Sequence, residues 1–491
     1  MRSFLALALH PPRPLVLATL GLLAMGCRTP EPEGDKAGPD DTSATADSAS
    51  GPSLERLREA LDATGHDVRD GGMYFSTYDG CCDDGAQCLG NNPATPYGTY
   101  TIPTLPDEAP TVDVLGPWGT LPDPSLTRSV HLRADEALVF IGTAPPEAAY
   151  FSLRSYQLAK TSEEGELVAT LGSLGKSLNH QTVAADRGVP VADIWGEPLV
   201  VITTADQAVE ARIRSTLVEA GYDPATIHVD RMTHSVLTMG LDEASDVFGV
   251  IWRTALPVDA DAELAYRNDP GATLLRITPR EPLAIEAPHP WPEFTRRGSG
   301  TGEGNWAQAL TALEAAIFAA YPDSDSVVRR GQPAFQPTLS CIDDADCAGD
   351  IRDRLARVAD AFTLEGDEFA VAFGVNHART GKASYANVAA VESIHGIGLH
   401  GFHSEAMVGS ARVYLPDEPL VDDLFAWMIR RDCTGQTVAC VEIPTGCPGV
   451  ETGDELRITF RAYLEPGTGV APASWEMQPD KVIKFFPTST R

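Results

Sequence analysis

The chain has 491 residues, too many for one hydrophobic core, so two or three domains are expected. Apolar residues make up 43% of it, which is typical of globular proteins and excludes a wholly disordered chain. The 37 basic and 69 acidic side chains give a formal net charge of −32, and this charge argues against nucleic acid as a partner because a phosphate backbone would be repelled.

The first residues have the form of an export signal. A basic start precedes an apolar run, residues 15–25 (LVLATLGLLAM), which is too short to span a bilayer comfortably. The run ends in AMGC, with a small residue just before Cys27. This ending resembles the lipobox of bacterial lipoproteins. The resemblance implies that residues 1–26 are a removed signal peptide and that Cys27 is acylated. An ordinary secretory signal cut nearby is the alternative.

A tether follows the cysteine. Residues 27–53 are rich in Pro, Asp, Ser, Thr and Gly, and such a segment cannot bury apolar area. Arg28, in place of Asp, implies by the same resemblance a position at the outer membrane. We therefore expect an exported chain held to the membrane by its N-terminal lipid. No later stretch is apolar enough to span a bilayer.

Eight further cysteines, an even number, suggest disulfides formed outside the cytoplasm. Two pairs have the same spacing and could each close a small loop that carries two Asp residues: Cys82 with Cys88, and Cys341 with Cys347. Those Asp pairs could bind Ca²⁺, but neither loop fits an EF-hand, so surface charge is the plainer interpretation. Spacing leaves the connectivity of the other four open: Cys81, Cys433, Cys440 and Cys447.

Composition divides the rest of the chain into four segments. Residues 54–127 begin with an amphipathic helix and continue as a Gly-, Pro- and Asp-rich region, for which we expect loops and little regular structure. Residues 128–284 and 306–491 each mix strand-like and helix-like patterns, and residues 285–305 form a Pro/Gly linker between them. The predicted fold class is therefore α+β, with two tandem domains that each contain a mixed sheet.

Residues 199–278 have the clearest pattern in the first domain. Buried-type strands and amphipathic helices follow in the order βαββαβ, and Asp206 is placed to cap the first helix. This order predicts a ferredoxin-like portion. In the second domain, similar apolar spacing predicts helices over residues 350–362 and 421–431.

Three sequence blocks of the first domain recur in the second domain in the same order. A duplication that produced two related domains would explain this, and chance likeness between strands is the alternative. The matched blocks are residues 132–142 with 364–374, residues 246–256 with 454–464, and residues 274–279 with 482–487.

The densest polar chemistry lies between two strand-like runs in residues 369–391, which predict a hairpin with functional groups at its tip. The tip carries His377, Lys382, Ser384 and Tyr385. A histidine base beside a Ser or Tyr nucleophile could support hydrolysis. The sequence contains no GxSxG elbow and no identifiable orienting acid, so a solvated polar turn is the alternative.

A Gly/His segment is a second candidate site, because His395, His400 and His403 could together bind Zn²⁺. A strand would place His400 on the opposite face from the other two, so only a folded loop could bring all three together. An exposed loop without metal is the alternative. A third segment, residues 172–180, contains GKS but has Thr170 where a P-loop needs Gly. Its Ser177, Asn179 and His180 could still line a pocket.

These patterns predict a lipid-anchored protein of the cell envelope that binds or scaffolds a partner or ligand whose identity the sequence does not give. No cofactor is expected. The alternative function is an extracytoplasmic hydrolase that uses His377 with Ser384 or Tyr385, or a metal bound by the Gly/His segment.

Overall fold

The computed structural model describes residues 51–76, 97–115, 119–162, 164–233, 236–285, 287–291, 295–334, 341–342, 347, 349, 352–393, 398–446 and 449–487. The expected signal, Cys27 and the tether up to residue 50 lie outside these ranges, and so do Cys81, Cys82, Cys88, Cys447 and His395. Within these ranges the protein is a mixed α+β fold, as predicted. None of the helices in these ranges is both long and apolar enough to cross a membrane.

The first half of the chain folds into a large curved sheet with helices packed against it. Its strands are β1 (His66–Phe75), β2 (Tyr97–Pro103), β3 (Leu126–Thr127), β4 (Ala137–Thr143), β5 (Ala148–Thr161), β6 (Leu167–Ser173), β7 (Leu178–Asn179), β8 (Pro198–Thr204), β9 (Ile227–Arg231), β10 (Val247–Pro257) and β11 (Thr273–Pro279). Its helices are α1 (Leu54–Ala63), α2 (His180–Arg187), α3 (Gln207–Glu219) and α4 (Ala260–Asn268).

The main strand order of this sheet is β6-β5-β10-β2-β1-β11-β4-β8-β9. Strand β1 joins its two parts, because residues 66–71 pair with β11 and residues 72–75 pair with β2. The crossing occurs at Gly71, where an added Cβ would lie only 2.2 Å from the carbonyl oxygen of Thr101. A residue without a side chain is therefore required where the strand passes from one part of the sheet to the other.

The second half folds into two five-stranded sheets. Its strands are β12 (Ser324–Arg330), β13 (Gln332–Ala334), β14 (Arg354–Val358), β15 (Phe369–Val375), β16 (Tyr385–Glu392), β17 (Gly398–His403), β18 (Leu424–Arg430), β19 (Cys440–Glu442), β20 (Leu456–Tyr463) and β21 (Lys481–Pro487). Its helices are α5 (Ala307–Ala320) and α6 (Ser404–Met407). The sheet orders are β12-β21-β15-β18-β19 and β13-β14-β20-β16-β17.

The two halves have the same strand order. In the first half, β1-β11-β4-β8-β9 corresponds to β12-β21-β15-β18-β19 in the second, and β1-β2-β10-β5-β6 corresponds to β13-β14-β20-β16-β17. The strand pair at one edge is parallel in both halves, β8 with β9 and β18 with β19. Helix α3 connects the first of these pairs, whereas a short loop closed by the Cys433–Cys440 disulfide connects the second.

The three recurring sequence blocks lie on equivalent strands, β4 with β15, β10 with β20 and β11 with β21. They also carry equivalent ion pairs. The Arg276 guanidinium donates to Glu136 at 3.0 Å, and the Lys484 ammonium lies 2.9 Å from Glu368.

Two expectations about the first half are wrong. In the described part of residues 54–127 regular structure predominates, because β1 and β2 are interior strands of the sheet; α1 forms as expected. The Gly- and Asp-rich composition suggested loops, but Asp67 and Asp70 are compatible with a strand because they lie on the exposed side of β1 and bind Arg280 and Arg58. The ferredoxin-like arrangement is not present either. In that arrangement β10 would lie between β8 and β9. In this protein β8 and β9 are direct neighbours, and β10 pairs with β5 and β2.

Three expectations about the second half are also wrong. The segments predicted as helices over 350–362 and 421–431 contain β14 and β18, and β18 lies between β15 and β19. A short apolar run that is buried on both faces cannot be assigned to a strand or to a helix from its pattern alone. The predicted hairpin does not form, because β15 and β16 belong to different sheets. Both strands are buried along their whole length, as interior strands are.

The halves contact each other through an aromatic cluster. Tyr463 of β20 packs against Tyr150 of β5 at 4.9 Å between ring centres and against Tyr385 of β16 at 5.2 Å. Strand β5 is buried on both faces, since Phe151 faces the core of the first half while Tyr150 faces the second half. The sheets of the two halves therefore share one continuous interior.

The Cys341–Cys347 disulfide, predicted from spacing, is present, and it lies at the junction of the halves. Cys347 is buried in the core of the first half although it follows β13 of the second. Its N–H donates to the carbonyl of Thr170 at 3.3 Å, and Lys160 donates to the carbonyl of Ile342 at 2.7 Å. The small loop thus docks the second half onto β6.

Removing this disulfide should cost more stability than removing Cys433–Cys440. The two loops have sequence separations of 6 and 7, so the chain-entropy contribution is nearly equal, about 2 kcal/mol in each case. The double replacement Cys341→Ser/Cys347→Ser should in addition bury an unfavourable hydroxyl and loosen the contact between halves, lowering the free energy of unfolding by about 1 kcal/mol more than Cys433→Ser/Cys440→Ser. Urea unfolding of the two variants measures this difference, and equal losses would contradict the docking role.

Candidate functional site

His377 lies in a buried ion-pair cluster, not at a solvated tip. Its Nδ1 is 2.8 Å from Glu303 Oε1, and its Nε2 is 3.3 Å from Asp480 Oδ1. Asp480 also accepts a hydrogen bond from Arg357 at 3.0 Å, and Thr380 donates to Glu303 at 2.6 Å. With a carboxylate on each side, the ring is an imidazolium that donates from both nitrogens.

The electrostatics favour this charged state. Burial by itself lowers the pKa of His377, but the charges of Glu303 and Asp480 outweigh it and raise the pKa to about 9. Burial pushes the pKa of each carboxyl upward, and the imidazolium reverses this effect, so the pKa values of Glu303 and Asp480 lie below their ordinary range. A cation held in this way is not available as a general base near neutral pH.

Lys382 lies in a second buried cluster. Its ammonium donates to Glu465 at 2.6 Å, to Glu476, and to the carbonyl of Thr301 at 2.7 Å. Burial lowers the pKa of Lys382, but the hydrogen bonds with Glu465 and Glu476 outweigh it and raise the pKa. The lysine is therefore a fixed cation and does not have the depressed pKa of a nucleophilic amine.

Both clusters bind the Pro/Gly segment that precedes the second half. Glu303 and Thr301 belong to that segment, and the N–H of Gly300 donates to Glu476 at 3.0 Å. Its earlier part is bonded to the first half, where the N–H of Gln207 donates to the carbonyl of Ala287 at 2.8 Å. We refer to residues 376–384 and their bonds to residues 299–303 as the linker clasp. Its charged residues hold the chain crossing between the halves in place.

The structure does not bring the four predicted catalytic residues together. Tyr385 is fully buried in the aromatic cluster, where its hydroxyl accepts a hydrogen bond from Asn387 at 3.0 Å. The Ser384 hydroxyl instead accepts from Gln181 of the first half at 3.4 Å. Both ring nitrogens of His377 face carboxylates, so no histidine–hydroxyl pair exists at this position.

The Gly/His segment is a strand in its described part. His400 and His403 both belong to β17 and lie opposite Ala390 and Asn387 of β16, so they project from opposite faces. Burial lowers the pKa of His403. Within the ranges that the structure covers, no three His, Cys, Asp or Glu side chains are grouped as metal ligands would be. The third predicted ligand, His395, lies outside those ranges.

A cavity of ≈ 680 Å³ lies between the two halves and has a size typical of small-molecule sites. The first half contributes the connection between β6 and β8, including α2. The second half contributes the loop 466–470 and two side chains, Arg352 and Ser384. Ser177 and His180, singled out by sequence as pocket residues, do line it. Asn179 lies beneath the surface, where it caps α2 and donates to the carbonyl of Gly469 at 3.0 Å.

His180 presents one oriented donor to this cavity. The N–H of Phe151 donates to His180 Nδ1 at 3.3 Å, so the neutral ring carries its hydrogen on Nε2. Burial lowers the pKa of His180 to about 4, which keeps the ring neutral at physiological pH. The imidazole stacks on Trp195 at 5.5 Å and meets the edge of Tyr150 at 6.3 Å. Its Nε2 has no hydrogen-bond partner among the residues that the structure covers.

Two cations and one carboxylate complete the charged groups of the cavity. Lys176 is exposed at its rim, whereas Arg352 is buried with its guanidinium 5.4 Å from the centre of the Trp291 ring. Asp186 lies at the same rim, 3.7 Å from the imidazole of His228. The lining is therefore net positive, in contrast to the strongly acidic chain as a whole.

A buried carboxylate holds the cavity wall across the halves. Asp353 of the second half is completely buried and accepts hydrogen bonds from Ser177, from Asn179 at 3.3 Å and from Arg154 at 3.4 Å. Gln181 adds a further bridge, since it accepts from the N–H of Gly469 at 3.0 Å. No sequence pattern pointed to Asp353 or to the 466–470 loop, because their partners lie far away along the chain.

Comparisons with known proteins identify no family. No family model matches the chain, and no relative was found among curated proteins. An uncharacterised protein from Burkholderia cenocepacia is similar in structure, with 11% identity and a TM-score of 0.38 over 88% of this chain and 87% of that one. A structural-genomics target from Vibrio parahaemolyticus has 13% identity and a TM-score of 0.32, over 74% of this chain and 88% of that one.

The linker clasp should make stability depend on pH in the alkaline range. The pKa of His377 is about 9 in the folded protein against 6.5 for the free group, so its stabilisation is complete below pH 6.5 and is lost as the pH rises through 9. The loss is on the order of 3 kcal/mol in the free energy of unfolding. His377→Gln should remove this alkaline loss and destabilise the protein near pH 6, as measured by urea unfolding at several pH values.

A matched replacement, His400→Gln, changes an exposed histidine on β17 and should leave the pH profile unchanged. If His377→Gln retained the wild-type alkaline profile, the assignment of a buried imidazolium would be wrong.

Proposed function

We propose that this protein is an exported, lipid-anchored protein of the cell envelope that binds a small ligand in the cavity between its halves. The observation that carries the proposal is the cavity itself, whose walls come from both halves and into which His180 Nε2 presents an unused donor. This N–H makes no hydrogen bond to the residues that the structure covers, so it is free to donate to an acceptor on a ligand.

The lining indicates the chemistry of the ligand. Small apolar side chains such as Ala184 and Val191 provide much of the surface, while Lys176 and Arg352 provide positive charge. A neutral N–H donor beside these cations suits a carboxylate or another hydrogen-bond acceptor on a partly apolar molecule. The ligand is therefore a small amphiphilic molecule that bears an anionic group.

The hydrolase alternative receives no support from the predicted catalytic residues. His377 and Lys382 are charged partners of buried carboxylates, and Tyr385 lies inside the interface between the halves. Ser384 is the one member of that set that lines the cavity, and the group that contacts its hydroxyl is an amide, which cannot act as a general base. Binding is therefore the favoured function.

The envelope location rests on the N-terminal sequence. Its lipobox resemblance and the tether of residues 27–53 form a coherent anchor. The Cys341–Cys347 and Cys433–Cys440 disulfides are compatible with an oxidising compartment outside the cytoplasm. The tether would hold the folded part at a distance from the membrane surface.

We also infer that the two halves arose by duplication. Equal strand orders, three matched blocks on equivalent strands and two equivalent ion pairs support this. Leu256, near the end of β10, and Leu464, directly after β20, occupy matching positions of the second block, and both have positive φ values, 53° and 39°. Superposition of the halves in an experimental structure tests the inference, and failure of the remaining strands to align would refute it.

Filling the cavity should abolish binding without unfolding the protein. Ala185 lines the cavity and is exposed on α2, so Ala185→Trp should occupy it at little cost to the core. We expect amphiphilic carboxylates found by ligand-observed NMR with the wild-type protein to lose binding to Ala185→Trp by at least about tenfold. Ala208→Trp, on the exposed face of α3, is the matched control and should bind normally. Hits that bind Ala185→Trp as well as wild type would place the site elsewhere.

The anchor should depend on Cys27. Mass spectrometry of the mature N-terminal peptide should find acylated Cys27, and Cys27→Ser should move the protein from the membrane fraction to the soluble fraction. Arg28→Asp is the matched control, since by the lipoprotein resemblance it should keep the lipid and shift the protein to the inner membrane. An unmodified Cys27 in the wild-type protein would refute the proposed lipid anchor.

A further inference from the structure

Strand β12 is an exposed sheet edge with unusual side chains. It pairs with β21 on one side, and none of the other strands that the structure covers pairs with its second side. Val327 and Val328 are 46% and 40% exposed, and Phe318 of the adjacent α5 is 36% exposed. An edge strand with unpaired backbone groups and exposed apolar side chains is a template for pairing with another strand.

The equivalent strand of the first half shows how the charges of such an edge can be neutralised. Registers with β11 and β21 make Asp67 of β1 the counterpart of Asp325 of β12. Asp67 binds Arg280 at 2.8 Å, and nearby Asp70 binds Arg58 of α1. The residue equivalent to Arg280, immediately after the final proline of β21, is Thr488, which has no charge. The second half therefore lacks the cation that neutralises this edge in the first.

The charges of β12 have no ionic partners in the part of the chain that the structure describes. Asp325, Arg329 and Arg330 make no ion pair with any residue in the covered ranges. The Arg329 guanidinium lies 5.8 Å from the centre of the Phe362 ring, and this contact keeps the side chain at the sheet edge. Its Nε has no hydrogen-bond partner among the described residues. Along the strand, Asp325, Val327 and Arg329 share one face because side chains alternate.

This face is complementary to itself. In an antiparallel pair, residues whose backbone groups point toward the partner strand lie opposite each other. When the two strands are copies related by a twofold axis, one residue must therefore lie opposite its own copy, and the axis passes between these two residues. With the axis at Val327, Asp325 of each copy faces Arg329 of the other, and the two Val327 side chains meet at the centre. Arg330 then faces Ser324. The register thus pairs Asp325 with Arg329 twice and covers the exposed Val327.

We propose that β12 is a homodimer interface, in which two copies of this chain pair antiparallel about Val327 and join their five-stranded sheets into one. The partner is a second copy because the strand carries both members of each cross-strand ion pair. The proposal is independent of the ligand cavity, which lies between the halves of one chain.

Charge exchange on β12 tests the dimer. The full chain with Cys27→Ser, exported so that its disulfides form, should show a concentration-dependent dimer by sedimentation velocity over about two decades of concentration. Asp325→Arg or Arg329→Asp places like charges opposite each other twice per dimer and should raise the dimer Kd by about tenfold or more. The double variant Asp325→Arg/Arg329→Asp restores opposite charges in both pairs and should restore the wild-type Kd.

Arg330→Asp is the matched control, because it makes the same charge change on the same strand at a position that faces Ser324. It should have a clearly smaller effect than Arg329→Asp. The proposal is overturned if the wild-type chain stays monomeric throughout, as it would if another protein covered this edge. It is also overturned if the dimer forms but is indifferent to Asp325→Arg and Arg329→Asp, or if the double variant fails to regain it while remaining folded.

Discussion

The junction of the two halves depends on burying charges together with opposite charges. Asp353 is removed from water next to Arg154, Lys382 next to Glu465, and His377 between Glu303 and Asp480. Removing one member of such a pair costs about 3–5 kcal/mol, because the other is left buried and unpaired. These pairs join residues that lie far apart in the chain, so they specify one relative placement of linker, halves and cavity wall. The aromatic cluster supplies contact area, and the ion pairs supply specificity.

Local sequence patterns were sufficient to predict those helices and strands that are determined by residues close to each other in the chain. Helix α3 begins where its capping Asp206 predicted, and the strands of the matched blocks were located correctly. The failures share a cause, which is burial by distant segments. Strand β18 is apolar along most of its length because both its faces are covered: Leu424, Ala426 and Met428 pack in the cluster that includes α5, and Phe425 and Ile429 pack against the other sheet. Burial of both faces removes the alternation that identifies a strand.

The residues of the candidate site likewise fall into those that sequence could predict and those that it could not. Ser177 and His180 were identifiable because they lie in the segment that contains GKS, and both line the cavity. The role of His377 was not identifiable, because its partners Glu303 and Asp480 are 74 and 103 residues away in sequence. A dense polar segment has the same composition whether it binds a ligand or holds a linker. What distinguishes the two is whether its charges are already paired, and that requires three dimensions.

The different crossovers of the two halves have a consequence for how the chain matures. Helix α3 can form in any compartment, but the crossover between β18 and β19 is closed by Cys433 and Cys440, which remain thiols in a reducing cytoplasm. The last strand of that sheet is therefore secured only after oxidation. In the export that we propose, this crossover would close only after the chain reaches an oxidising compartment, so that completion of the C-terminal half would be coupled to its location.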